Sequence, residues 1–167
     1  GFDYIGEPTP YHTRNSYFGQ IDTAGFEKDS FFLYRGAWMD AKKAPFVHVF
    51  PYWNFNPGQL VDVRVASNGT FVELLLNGKS IGEYQIDHEK GTVLTGNWQV
   101  PYEPGELTAI AYDENHQEIA RESRHSYGEP VKLVVELYQA DKEFTAGSYD
   151  LAYVTISAVD AQGYPVE

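Results

Sequence analysis

Residues 71–84 read FVELLLNGKSIGEY, and this stretch decides the fold. Two runs of strand-forming residues flank Asn77-Gly78. An Asn-Gly pair tolerates positive φ at both central positions of a type I′ turn, and the twist of that turn matches its flanking strands. Side chains alternate along a strand, so Val72, Leu74 and Leu76 share one face and Phe71, Glu73 and Leu75 the other. Gly82 interrupts the return strand, as a bulge or a close contact would. The stretch therefore reads as the central hairpin of a β-sandwich.

The same alternation extends outward. Strands are expected at Phe46–Phe50, Leu60–Ala66, Lys79–Ile86, Trp98–Val100, Glu106–Asp113 and Gln117–Ser123. In Leu60–Ala66, Val61, Val63 and Val65 alternate with Asp62 and Arg64, a half-buried pattern. Turn signals separate the runs: Asn56-Pro57-Gly58, Ser67-Asn68-Gly69, Pro104-Gly105 and Asp113-Glu114-Asn115. Short strands at this spacing predict a mainly β chain built on a sandwich of immunoglobulin or fibronectin type, over residues 45–128. Asn68-Gly69-Thr70 matches a glycosylation sequon, but Asn-Gly at a turn explains it equally, and the turn is the reading taken.

Before the sandwich, residues 2–5 predict a short strand, stopped by Gly6, Pro8 and Pro10. Asp29 or Ser30 caps an expected helix, in which Phe31, Tyr34 and Trp38 share a face by spacing. That face is expected to pack into a core. Lys42–Pro45 reads as a linker. After the sandwich, Val131–Gln139 and Leu151–Asp160 predict two more strands. Two strands make no independent sandwich, so residues 129–167 read as the start of a further β-domain. The chain opens GFDYI without Met and stops at Pro165-Val166-Glu167. Both ends read as cuts, which predicts a segment of a longer protein.

Composition narrows the function. The net charge of -12 disfavours nucleic acid and anionic membrane surfaces. With no cysteine, disulfides, thiolate metal sites and a cysteine nucleophile are excluded. No run approaches the roughly 20 apolar residues of a spanning helix. Phosphate-loop, dinucleotide, zinc-protease and nucleophile-elbow motifs are missing, and the five histidines are not spaced as ligands. Nothing asks for a metal or a cofactor. Cytoplasmic, periplasmic and secreted locations are all compatible, and oligomeric state is not legible. Aromatic residues make up 16% of the chain. Rings stack on sugar faces as well as filling cores. Tyr52, Trp53, Phe55 and Trp98 are therefore candidates for a sugar-stacking platform, with core or interdomain packing as the competing reading. Asp3 and Glu7 are the carboxylates in the most site-like context. Glycosidase chemistry with retention needs two carboxyl groups about 5–5.5 Å apart, and Pro8 and Pro10 make it hard for Glu7 to fold back over the strand.

The N-terminal GFDYIGEPTPY, with SYFGQIDTAGFEKDSFFLYRGAW at 16–38, resembles the last strand, loop and helix of the (β/α)8 barrel in glycoside hydrolase family 2, β-galactosidase type. Residues 47–84 resemble the sandwich that follows that barrel, with VELLLNGKSIG at 72–82 carrying the family's V-E-L-x-x-N-G-x-x-x-G hairpin. YVTISAVDAQGYPV at 153–166 resembles the opening of a further immunoglobulin-like domain. The resemblance implies a division into 1–44 (barrel remnant), 45–128 (sandwich) and 129–167 (truncated next domain). It implies a retaining parent enzyme that hydrolyses terminal β-galactosides, with close relatives acting on glucuronides and mannosides. The family's catalytic glutamates lie on strands before Gly1, so no catalytic residue is expected in this segment. Asp3, Tyr4 and Glu7 are the candidates for substrate contact in the parent. The expected partners are the carbohydrate substrate and the missing barrel. The alternative is a carbohydrate-binding sandwich module without catalysis.

Overall fold

The computed structural model describes residues 1–6, 14–138, 147 and 153–166. Among these, one helix, α1 (Asp29–Trp38), precedes nine strands. They are β1 (Val47–Phe50), β2 (Leu60–Ser67), β3 (Phe71–Leu76), β4 (Lys79–Gln85), β5 (Thr95–Pro101), β6 (Glu106–Tyr112), β7 (Glu118–His125), β8 (Lys132–Tyr138) and β9 (Tyr153–Val159). A three-stranded sheet, β1-β2-β5, faces a four-stranded sheet, β4-β3-β6-β7, and all pairings are antiparallel. The mainly β reading and its sandwich hold.

The inward residues of each alternating strand meet between the sheets. Val49, Val63, Val65, Val72, Leu74, Leu107, Ala109 and Ala111 are all fully buried there. Burying a Val or Leu side chain stabilises by ~1.5–3 kcal/mol, so this layer dominates the fold. The hairpin forms as its sequence dictates: Asn77 and Gly78 take φ of 49° and 78°. Leu74 pairs with Gly82 and Leu75 with Ser80, so Ile81 is the extra residue of a bulge. Gly82 has φ 138°, and a Cβ there would lie 3.0 Å from the Trp98 indole nitrogen. Bulge and close contact therefore coincide. The Asn77 side chain also accepts from the Glu106 N–H at 2.9 Å and donates to Pro104 O at 3.2 Å, locking this turn to the one before β6.

β1 is an edge strand, and an unpaired edge invites association with other chains. Here two β7 side chains occupy it. Glu122 Oε2 accepts from the Val49 N–H at 2.9 Å, and Arg124 Nε donates to Val49 O at 3.3 Å.

The segment ahead of β1 departs from expectation in two ways. Residues 2–5 form no strand; they make single bridges, Phe2 with Ile21 and Ile5 with Asn15, because among the described residues no strand lies alongside to extend a ladder. The helix also faces the other way. Lys28, not Asp29 or Ser30, is the N-cap, with no side-chain capping bond. Trp38 is 77% exposed and Tyr34 is exposed too, so the Phe31/Tyr34/Trp38 face is not core. What packs is Gly36. A Cβ there would lie 2.9 Å from Ser67 O, so only glycine lets the helix approach β2 this closely. The Asn68 side chain secures the linker, accepting from the Phe46 N–H at 3.1 Å and donating to Met39 O and Ala44 O at 3.2 and 2.9 Å. With its amide committed and buried, Asn68 is a turn residue.

β8 and β9 pair as a separate two-stranded ribbon. Asp160 joins it to the sandwich by accepting the Gly128 N–H at 2.9 Å, and His125 stacks on Tyr164 at 4.1 Å.

Candidate functional site

The candidate substrate-contact residues sit in the N-terminal turn, where the chain doubles back on 14–28. Asp3 is buried. Its Oδ1 accepts the Gly19 N–H at 2.7 Å, and its Oδ2 pairs with Lys28 Nζ at 2.5 Å. The hydrogen bond from Lys28 is the main reason its carboxyl titrates below its ordinary range; partial desolvation opposes this, while the Gly19 N–H and the lysine charge reinforce it. Both oxygens of Asp3 thus hold the turn together as an anion. A general acid, by contrast, needs a carboxyl that keeps a proton near neutral pH. Tyr4 is exposed on the same turn, its N–H held by Ser16 Oγ at 2.9 Å and its ring edge-on to Phe18 at 6.2 Å. Glu7 lies outside the described residues.

Beside this turn runs an apolar groove of about 550 Å³, lined by Ile21, Phe31, Tyr34, Trp38 and Met39 among others. It is bounded on one side by the doubled-back N-terminal segment and on the other by the outward face of α1. Helical spacing puts these aromatic residues on one face, but that face is not the core it was expected to join. Nothing in the spacing of a helix says which face is covered.

The aromatic platform does not assemble. Trp53 is 1% exposed, its indole N–H donating to Glu103 O at 3.1 Å. It is a core residue, correcting its place among the stacking candidates. Tyr52 is partly exposed but already stacks on Phe55, with ring centroids 4.9 Å apart and planes 11° apart. Trp98 is half-buried on β5, edge-on to Tyr84 at 4.8 Å. Its six-membered ring fills the space above Gly96, where a Cβ would come within 2.4 Å of it.

His48 was not singled out by the sequence. The alternation of Val47-His48-Val49 places it opposite the core, and that outer face lies under α1. The ring stacks on Phe32 of the helix at 3.6 Å and 12°, between Asp29 and Glu122. Among the described residues, no group of three or more His, Asp or Glu is placed to hold a metal ion.

Residues 58–120 match a family described as a domain of unknown function, DUF4982. The chain is 40% identical, over 98% of its length, to Beta-galactosidase BoGH2A of Bacteroides ovatus, of which it spans 18%. The structure superimposes on a glycosyl hydrolase family 2 member from Bacteroides cellulosilyticus with TM-score 0.80 at 27% identity, covering 98% of this chain and 25% of that one. These similar proteins are family 2 glycosidases, and the chain resembles one region of them. A beta-glycosidase from Bacteroides vulgatus is similar as well, with TM-score 0.84 and 30% identity over 98% of this chain and 20% of its own. Beta-glucuronidases are among the relatives too: one from Formosa agariphila is 26% identical over 87% of this chain and 14% of its own length. The chain therefore corresponds to a minor part of each relative, and those relatives are glycoside hydrolases of more than one specificity.

Proposed function

We propose that this chain is a non-catalytic segment of a retaining family 2 β-galactosidase, in which the sandwich buttresses a catalytic barrel that ends in α1 and whose catalytic strands precede Gly1. The observation that carries this reading is the two-sided helix. One side of α1 is fastened to the sandwich through Gly36 and Phe32. The other presents Tyr34 and Trp38 to an open apolar groove. Exposed contiguous apolar surface of this kind marks a contact site, and the barrel is the partner assigned to it.

On this reading residues 1–44 end the barrel, 45–128 form the sandwich, and 129–167 begin a further β-domain. The exposed apolar side of the β8–β9 ribbon supports the last boundary, since such a face needs a second layer. Asp3 holds the N-terminal turn, and Tyr4 and Glu7 are the proposed substrate contacts. Hydrolysis would pass through a covalent glycosyl-enzyme formed on a carboxylate upstream. Galactoside is preferred over glucuronide because the 40% identical relative is a beta-galactosidase. The binding-module alternative loses its central ring with the burial of Trp53.

The test is hydrolysis of aryl β-D-galactoside and β-D-glucuronide by this chain alone and by the chain extended through its native upstream coding region. Galactoside cleavage by the extended protein alone is expected. Glucuronide cleavage by it would correct the substrate, and cleavage by the 167-residue chain would overturn the non-catalytic assignment.

A further inference from the structure

His48 lies at the junction of three elements. It projects from the middle of β1 on the outer face of its sheet, with its side chain 10% exposed. Phe32 of α1 covers it. Nε2 is 3.5 Å from Asp29 Oδ1, in the first turn of α1, and Nδ1 is 3.3 Å from Glu122 Oε2 on β7. Nε2 is buried and makes no hydrogen bond among the described residues. A single imidazole thus stands between a carboxylate of the helix and a carboxylate of the sandwich.

A neutral imidazole carries one N–H and one lone pair. Either tautomer satisfies one carboxylate and turns a lone pair toward the other. The imidazolium donates from both nitrogens, and its charge also improves the stack on Phe32. Histidine is the side chain whose charge ordinarily changes between about pH 5 and 8. Arg124 pairs with Glu122 Oε1 at 3.0 Å, Arg35 of α1 stands over Phe46 at 4.5 Å, and Arg64 of β2 shares the outer face opposite Phe50. These cations oppose a second proton on the ring, while Asp29 and Glu122 face its nitrogens directly.

We propose that His48 is a proton-operated latch, tightening the attachment of α1 to the sandwich when its ring takes up a second proton between Asp29 and Glu122. The latch sits behind the helix face that borders the groove, so it would set how firmly that face is presented. It stands independently of what occupies the groove.

The test is amide hydrogen exchange of the 167-residue chain at pH 7.5 and pH 5.5, each referred to intrinsic rates at the same pH. Both values lie above the range where Asp and Glu ordinarily titrate. Protection of the Phe32–Arg35 amides is expected to rise about fivefold at the lower pH, the scale of one modest ion pair. Amides of β3 and β6 serve as controls, since the other histidine–carboxylate pairs among the described residues, His116–Glu83 and His125–Glu106, lie at their sheet. The rise is expected to vanish in His48→Gln. Asp29→Asn leaves the buried ring in place at an exposed helix position, so it keeps the fold and should lose most of the rise. Nitrogen-15 spectra of the ring should show two protonated nitrogens at pH 5.5. Equal pH dependence in wild type and Asp29→Asn, or a ring that stays neutral at pH 5.5, overturns the latch.

Discussion

The sandwich and the β8–β9 ribbon are built from the same sequence pattern and end in opposite states. In β2 and β3, Val63, Val65, Val72 and Leu74 face a second sheet and lose all contact with solvent. In the ribbon, Leu133, Val135 and Leu137 line up with Val154 and Ile156 across a register as regular as any in the sandwich. Yet each of these is between 52% and 66% exposed. Alternation chooses a face; it does not supply the layer that covers it. The same lesson applies to α1, whose Tyr34/Trp38 face is open while Gly36 and Phe32 make its contact with the sandwich.

The sharpest way to break this contrast is to cut the same kind of side chain in both regions. Leu74→Ala should cost ~2–5 kcal/mol in urea unfolding, through lost burial and the cavity left behind. Val135→Ala should cost less than about 0.5 kcal/mol, as surface changes do. A loss above about 2 kcal/mol at Val135 would mean that the ribbon face is covered in this chain.

A smaller effect tests the helix. In an exposed helix, Gly→Ala gains up to about 1 kcal/mol. At Gly36 the added methyl meets the Ser67 carbonyl, so Gly36→Ala should lose ~1–3 kcal/mol. A gain in stability would show that α1 is not seated on β2.

The junction at β1 gives an acid-side prediction. Burial pushes the Glu122 carboxyl up, but the hydrogen bond and charge of His48, the charge of Arg124 and the Val49 N–H together hold it below its ordinary value. A depressed carboxylate contributes stability that is present above its unfolded value, about 4.3, and is lost as pH falls through the lower folded value. Glu122→Gln should therefore show a shallower fall in thermal midpoint between pH 5 and 3 than the wild type. Equal slopes would remove Glu122 from the junction.

The least effect is expected from sugar. Galactose or glucuronate titrated into the chain should leave its tryptophan fluorescence unchanged, because Trp53 is sealed in the core and Trp98 is packed against Tyr84. A saturable response that survives Trp38→Phe would restore the binding-module reading.

Much of the fold was legible. The hairpin at Asn77-Gly78, the positions of the seven sandwich strands and the inward set Val72/Leu74 follow from period-two patterning and turn chemistry, which are local. Strand ends were less so. β5 runs from Thr95, not from Trp98, because its length is set by pairing along β2. The candidate site was legible only as a set of names. Asp3 read as an available carboxylate until Lys28, 25 residues on, closed over it. Trp53 read as a stacking ring until Glu103, on the far side of β5, took its N–H. His48 carried no motif; its neighbours Asp29, Phe32 and Glu122 are 19, 16 and 74 residues away.

What this sequence determines by itself is therefore local: where strands alternate, where the backbone must turn, and which side chains share a face. Turn propensity and side-chain periodicity act over a few residues, so they can be read along the chain. Tertiary structure decided which faces are covered and which charges meet, leaving the ribbon and the outer side of α1 open and enclosing His48 between two carboxylates. Burial and electrostatic pairing depend on distance in space, and distance in space is what a linear sequence does not carry.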